Sequence, residues 1–161
     1  MATCLISPEF AAFLEGGQAV VVATRDASLS PSATRAGGVR VSSDTEVAVF
    51  LPKPTSERAL RDLRDNGHLA VTVSSPVTLR TFQIKGRMSE IAEATAEDVL
   101  WIEEQLRLFW GNVSAFRIGR AQVRNLWMFD CWRVRMRMES LFLQTPGPRA
   151  GSRLESGDEP R

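Results

Sequence analysis

Apolar positions change their period twice between Glu46 and Pro76. Val47 to Leu51 is a continuous apolar run of strand formers, closed by Pro52-Lys53-Pro54, whose prolines cannot donate to a ladder. The spacing then becomes helical: Ala59, Leu60 and Leu63 share one face, Thr55 or Ser56 supplies a cap, and Glu57 suits the positive first turn. Asn66-Gly67 stops that helix, and His68 to Val73 resumes as a strand. The unit therefore reads strand, helix, strand. Its helix entrance offers unpaired N–H groups beside Ser56, Arg58 and Lys53, a corner suited to an anion such as a phosphate monoester.

The same reading extends along the chain. Ser7 caps a short helix with Pro8 at its first position, and Gly16-Gly17 ends it. Ala19 to Thr24 is almost continuously apolar and predicts a buried strand, followed by a turn over 26–31. Ser32 to Val41 predicts a second strand, loosened at Gly37-Gly38 by a bulge or a close backbone approach. Arg80 to Ile91 reads as a long strand. Thr95 caps a second long helix with Asp98 three residues on, and Val99, Ile102, Leu106 and Phe109 form its stripe. Trp132 to Met138 alternates apolar and cationic residues, which predicts a strand with Arg133, Arg135 and Arg137 on one face. From Thr145 onward Pro, Gly, Ser and charge dominate. The expected organisation is one domain over 1–145 and an arm or disordered tail over 146–161.

Composition narrows the function. At 161 residues, with 43% hydrophobic and 24% charged residues, the chain can build one core. A net charge of +1 gives no nucleic-acid footprint. Cys4 and Cys131 lack ligand spacing, which fits free thiols and a cytoplasmic location. No run has the length of a membrane span or of a signal peptide's apolar core. His68 is the sole histidine, so a two-histidine metal site is excluded and no metal is expected. The chain contains no tyrosine and shows no acid–base pair, which argues against chemistry performed mainly by side chains.

Order and spacing together resemble the pyridoxamine 5'-phosphate oxidase-like, FMN-binding split-barrel superfamily over roughly residues 10 to 143. The resemblance rests on Gln18–Thr24, on Pro31 to Arg35 entering the second strand, and on Val49-Phe50-Leu51 ending the third. It continues through Thr55 to Arg58 opening the short helix, Asn66-Gly67 closing it, and Arg80 to Gly86. It implies a mainly β split barrel of about six strands with two to three flanking helices. It also implies a homodimer with FMN at the subunit interface. By position, Arg35, Ser56 and Arg58 would hold the phosphate, and Phe50, Leu51, Lys53, Thr81 and Gln83 complete the expected cofactor-binding set.

Three departures separate the chain from the oxidases proper. Glu57-Arg58 replaces consecutive basic residues at the helix start. Thr81 stands where those oxidases place a glutamine near the flavin ring, with Gln83 as the substitute at hand. The Arg-Leu-His-Asp type signature near the C-terminus is absent. The expectation is an FMN-dependent oxidoreductase acting on a small molecule other than pyridoxamine phosphate. The alternatives are a non-catalytic flavin- or haem-binding protein, or a deazaflavin-dependent reductase.

Each candidate also has a plainer role. Arg58 suits a solvated helix turn, Lys53 a strand end, and Arg133, Arg135 and Arg137 an exposed edge face. The large apolar side chains over 106–110 and 126–132 exceed the needs of one small barrel and mark a subunit interface.

Overall fold

The structure is a computed structural model and describes residues 6–155, so Cys4 and the last six residues of the expected tail lie outside it. Helix α1 (Pro8–Leu14) starts as the sequence predicts, with the Phe10 N–H donating to Ser7 Oγ at 3.2 Å. Strands β1 (Ala19–Arg25), β2 (Pro31–Ala36), β3 (Val39–Val41) and β4 (Glu46–Pro52) follow. A single 3-10 turn (Lys53–Thr55) leads into α2 (Glu57–Asn66), then β5 (His68–Ser74) and β6 (Thr81–Glu93). Helices α3 (Ala96–Val113) and α4 (Arg120–Asn125) precede β7 (Cys131–Leu143) and β8 (Arg153–Leu154). Thr95 and Asp98 form the expected capping box on α3.

The architecture is mainly antiparallel β with flanking helices, and among the described residues it holds eight strands and four α-helices. The strand count exceeds the expected six because the predicted second strand divides at Gly37-Gly38, and because β8 pairs with β7. The division has a steric cause. Gly38 has φ +145°, and a Cβ there would stand 2.9 Å from the Trp101 ring, so the glycines mark a close approach of α3. Residues 146–155 return to the sheet, with Leu154 buried against the barrel interior.

Strand order is β2-β1-β5-β6-β7-β4-β3. Because β2 and β3 are consecutive in the chain yet lie at opposite ends of this order, the sheet must curl until its ends approach. The Gly37 N–H donates to Phe50 O at 2.8 Å where they meet, without closing the barrel. Val20, Val22, Val71, Val73, Phe82, Ile84, Val134 and Met136 fill the interior. Phe10 and Phe13 of α1 meet Phe82 edge-on, with ring centroids 5.1 and 5.3 Å away. A second cluster joins Phe50 to Ile102, Phe109, Val113, Val123, Trp127 and Cys131 under α3 and α4. Phe109 and Trp127, read from sequence as interface residues, are therefore packed within the chain, because α3 needs an apolar seat on β4 and β7.

The arginine-bearing strand is not at an edge. β7 pairs with β4 on one side and β6 on the other. Alternation alone reports one polar face, and a polar face arises equally on an interior strand whose charges are matched by neighbours.

Candidate functional site

The entrance to α2 is built from β2, the 26–30 turn and the 3-10 turn. Asp26 organises the turn by accepting from Ser28 N (2.9 Å), Ser28 Oγ (2.7 Å) and Ser30 N (2.9 Å). The Ser28 hydroxyl, the Ser30 N–H and other donors hold the Asp26 carboxyl below its ordinary value, so it is anionic at neutral pH. Ser30, thus fixed, accepts from Arg58 at Oγ (2.8 Å), and the guanidinium stands 3.8 Å from Asp26. The guanidinium is half-exposed and oriented, with Asp26 only a distant counter-charge.

Ser56 takes a role the sequence does not predict. Its hydroxyl donates to Pro52 O at 2.7 Å in a fully buried setting, and its side chain does not cap α2. It fixes the path from β4 into the helix. Thr55 is exposed, with its hydroxyl 3.2 Å from that of Thr34 on β2. The first turn of α2 therefore lacks a side-chain cap and faces Thr55 and Arg58, an arrangement able to receive anionic oxygens. Lys53 is turned elsewhere. Its ammonium pairs with Asp130 (2.9 Å) and Glu93 (3.1 Å), lies 5.0 Å from the Trp132 ring centroid, and is held above its ordinary pKa first by Asp130 and then by Glu93.

Arg35 projects from the opposite side of β2 to Thr34. Register carries it across the sheet: Arg35 pairs with Val21, Val21 with Thr72, Thr72 with Gln83, and Gln83 with Phe142. These five residues form one row on the outer face. Arg35 and Gln83 are three strands apart, about 14 Å at the usual strand spacing. The Gln83 amide donates to Thr72 Oγ1 at 3.1 Å, and Lys85 Nζ lies 4.7 Å from the Phe142 ring centroid. Val21 is 40% exposed, unusual for a valine in mid-strand. Arg35 also borders a shallow recess with Leu126, Trp127 and Met128, its guanidinium 5.8 Å from the Trp127 ring centroid. Toward one end of this face Arg25, His68, Lys85 and Ser140 line a depression of about 430 Å³.

The structure thus gathers Thr55 and Arg58 at one corner and sets Arg35 and Gln83 on one face. Phe50 and Leu51 are fully buried on opposite sides of β4 and offer only backbone. Thr81 is tied to the Ser74 hydroxyl (2.7 Å) and Leu79 O (2.9 Å). Sequence reasoning missed Ser30 and Asp26, although Asp-x-Ser-x-Ser after a strand is the pattern of a side-chain-stabilised turn.

Two of the three arginines of β7 are matched by acids. Arg133 meets Asp98 at 3.0 Å and Glu90 at 3.9 Å, while Arg135 meets Glu46 at 3.4 Å and Glu90 at 3.7 Å. Arg40 adds a second cation to Asp98 at 3.3 Å. Burial pushes the Asp98 carboxyl up, but hydrogen bonds from Thr95 and the charge of Arg133 outweigh it, so the net displacement is downward. The Cys131 thiol is pushed up to about 12, by burial first and then Asp130, so it is protonated and unreactive at neutral pH. Among the described residues no group of three or more His, Cys, Asp and Glu could hold a metal ion, and no helix is long and apolar enough to cross a membrane.

Solved structures share the fold. HupZ of Group A Streptococcus aligns at 18% identity and a TM-score of 0.55, covering 91% of this chain and all of that one. An F420 reductase aligns at 14% and 0.53, covering 81% and 93%. An FMN-binding protein from Syntrophomonas wolfei aligns at 7% and 0.50, covering 82% and 81%. Comparison with curated protein sequences gives no match. The family model described as pyridoxamine 5'-phosphate oxidase matches residues 6–128, most of the chain, and the chain accordingly belongs to that family.

Proposed function

We propose that the protein binds FMN between two copies of itself and acts in the cytoplasm as an FMN-dependent oxidoreductase on a small molecule. The observation that carries this reading is the uncovered row from Arg35 to Gln83, bare of helices and almost bare of charge, beside an uncapped helix entrance at Thr55 and Arg58. A second copy laid on that face would cover Val21 and Phe142 and enclose a flat cofactor between two protein walls. The residues present fit the group. Arg58 and the N–H groups of the first turn of α2 would hold the phosphate, Arg35 would add charge from the sheet side, and Gln83 would hydrogen-bond the ring. Ser56 would act through its backbone, and Lys53 would be a support of the corner.

When bound, FMN supplies hydride or electron transfer, so the chain need provide no nucleophile. The protein's part is to orient the cofactor and exclude water. We place pyridoxine and pyridoxamine 5'-phosphate outside its substrates. A second phosphate needs its own donors; of the arginines of β7, Arg133 and Arg135 are engaged by Glu46, Glu90 and Asp98, and the three lie in a line along one strand and not in a converging cup.

The test is titration of apoprotein with FMN and riboflavin, alongside light scattering. Tighter FMN binding to a dimer is the expected result, and equal affinities would remove the phosphate corner from the argument. Reduction by NAD(P)H or by a reduced deazaflavin, followed by stopped-flow, identifies the donor and separates the flavin enzyme from a deazaflavin reductase. A non-catalytic carrier is the second reading, favoured by His68 half-buried in its depression with Arg25 and Lys85, cationic neighbours suited to haem propionates. A Soret band on haem addition that His68→Ala abolishes would select it.

A further inference from the structure

We infer that a second small-molecule site, separate from the FMN corner, lies between α3 and α4 and takes a flat, apolar ligand bearing one carboxylate. A cavity of about 670 Å³ opens there, within the size range of small-molecule pockets. Its apolar wall is made of Leu106, Trp110 and Phe129, aromatic and aliphatic surface that a planar body would cover.

The charges set the ligand's own charge. Arg120 and Arg124 stand one helical turn apart on α4, each over an aromatic ring of the cavity: Arg120 is 5.6 Å from the Trp110 centroid and Arg124 is 5.8 Å from that of Phe129. Neither makes an ion pair among the described residues, in contrast to Arg133 and Arg135 of β7. Arg107, on the opposite wall, is bound to Glu104 at 2.5 Å and the two cancel. With Glu103 also in the lining, its three arginines and two glutamates sum to a formal charge of +1. One positive charge is left to match, which favours a monoanion over a phosphate monoester. The guanidinium pair, already held over aromatic rings, presents N–H groups to a carboxylate.

The site is independent of the flavin reading. Trp127 and the recess beside Arg35 belong to the barrel side of this segment, whereas Phe129 belongs to the α3–α4 cavity. The experiment is isothermal titration with 2-naphthoate and its neutral isostere 2-naphthamide, on protein with and without FMN. The expected result is one naphthoate per chain, bound at least about tenfold tighter than the amide, and weakened about tenfold or more by Arg120→Gln with Arg124→Gln. Both substitutions are on exposed helix positions, and circular dichroism confirms folding; the single variants, each expected to weaken binding less, serve if the double variant unfolds. Equal binding of the amide, an unchanged double variant, or no saturable binding at about millimolar ligand would each overturn the site. Displacement of naphthoate by FMN would equally overturn it as a separate site, while failure of FMN to bind would leave it standing.

Discussion

The two halves of the sheet's outer surface differ in kind. Over β3, β4 and β7 the surface is helix-covered and densely charged: Arg40, Arg133 and Arg135 meet Asp98, Glu97, Glu90 and Glu46. Over β1, β5 and β6 the row of Val21, Thr72 and Gln83 carries no charge, and the α3–α4 cluster reaches this half at Ala19, the start of β1. A protein in water ordinarily places its charges on the uncovered side and its small neutral residues under a helix. The row of Val21, Thr72 and Gln83 departs from that arrangement. In the charged half only Asp98 is buried, and Arg40 and Arg133 converge on it from the more exposed surface. The central row of the other half lacks charges in the way a surface does when something else is to cover it, and its cations Arg25 and Lys85 stand toward one end.

The sharpest way to break this comparison is to put charge on the neutral half. Val21→Glu places like charges on both subunits of any two-fold interface formed by that face. We expect dimer dissociation to strengthen by about 10³-fold or more, roughly 4 kcal/mol, read by light scattering or sedimentation. Phe116→Glu puts the same charge on the helical side, where Phe116 is already 55% exposed, and is expected to leave the dimer unchanged. A reversed pattern would move the interface to the helices.

The next effect tests the charged half. Asp98 closes the α3 capping box and pairs with Arg40 and Arg133 while its own side chain is 2% exposed. Asp98→Ala removes a cap and takes the buried anion from Arg40 and Arg133, which keep only the more exposed Glu97 and Glu90, so we expect a loss of about 3 kcal/mol at pH 7. The folded carboxyl titrates below the unfolded one, so its stabilisation is present above the unfolded value near pH 4. It is lost as pH falls through the lower folded value. Wild type and variant should therefore converge in stability in strong acid, in urea melts taken across that window. A constant difference at all pH values would assign the effect to packing.

Arg58→Ala acts at the α2 entrance beside the 26–30 turn and is expected to be smaller. One charge-assisted contact is worth about 1.5–3 kcal/mol, so FMN affinity should fall about 10- to 100-fold with riboflavin affinity unchanged. Parallel loss of both ligands would show that Arg58 serves the turn through Ser30 and Asp26 instead.

What the sequence reveals and conceals follows from range. Ser7, Thr95 with Asp98, Asn66-Gly67 and the apolar run over 47–51 are local signals, and the structure reproduces each of them within a residue or two. Gly37-Gly38 was legible as a break, but the Trp101 ring that causes it lies more than sixty residues away. Arg35 and Gln83 look unrelated in the chain and become a row only through three successive pairings. Ser56 looks like a phosphate donor because its hydroxyl is the right type, and only the folded path shows that hydroxyl on Pro52. Helix α4 has too few residues and too weak a stripe to stand out before α3 gives Val123 something to pack against.

The smallest effect separates the three arginines of β7 from one another. Sequence treats Arg133, Arg135 and Arg137 alike, but among the described residues only the first two have acids placed within 4 Å. Arg137 is exposed, and register sets it between Arg87 of β6 and Glu46 of β4, one like and one opposite charge. Glu46 is engaged by Arg135, and Arg87 is engaged by Glu139 at 3.5 Å, so neither neighbour presents a full charge to Arg137. In water such residual attractions and repulsions are screened within about one Debye length and nearly cancel. Arg137→Gln should therefore change unfolding free energy by no more than about 0.5 kcal/mol, with no dependence on salt between low and physiological ionic strength. A loss several times larger would mean that Arg137 belongs to the charged half after all, and that the boundary between the two surfaces lies one residue pair further along β7.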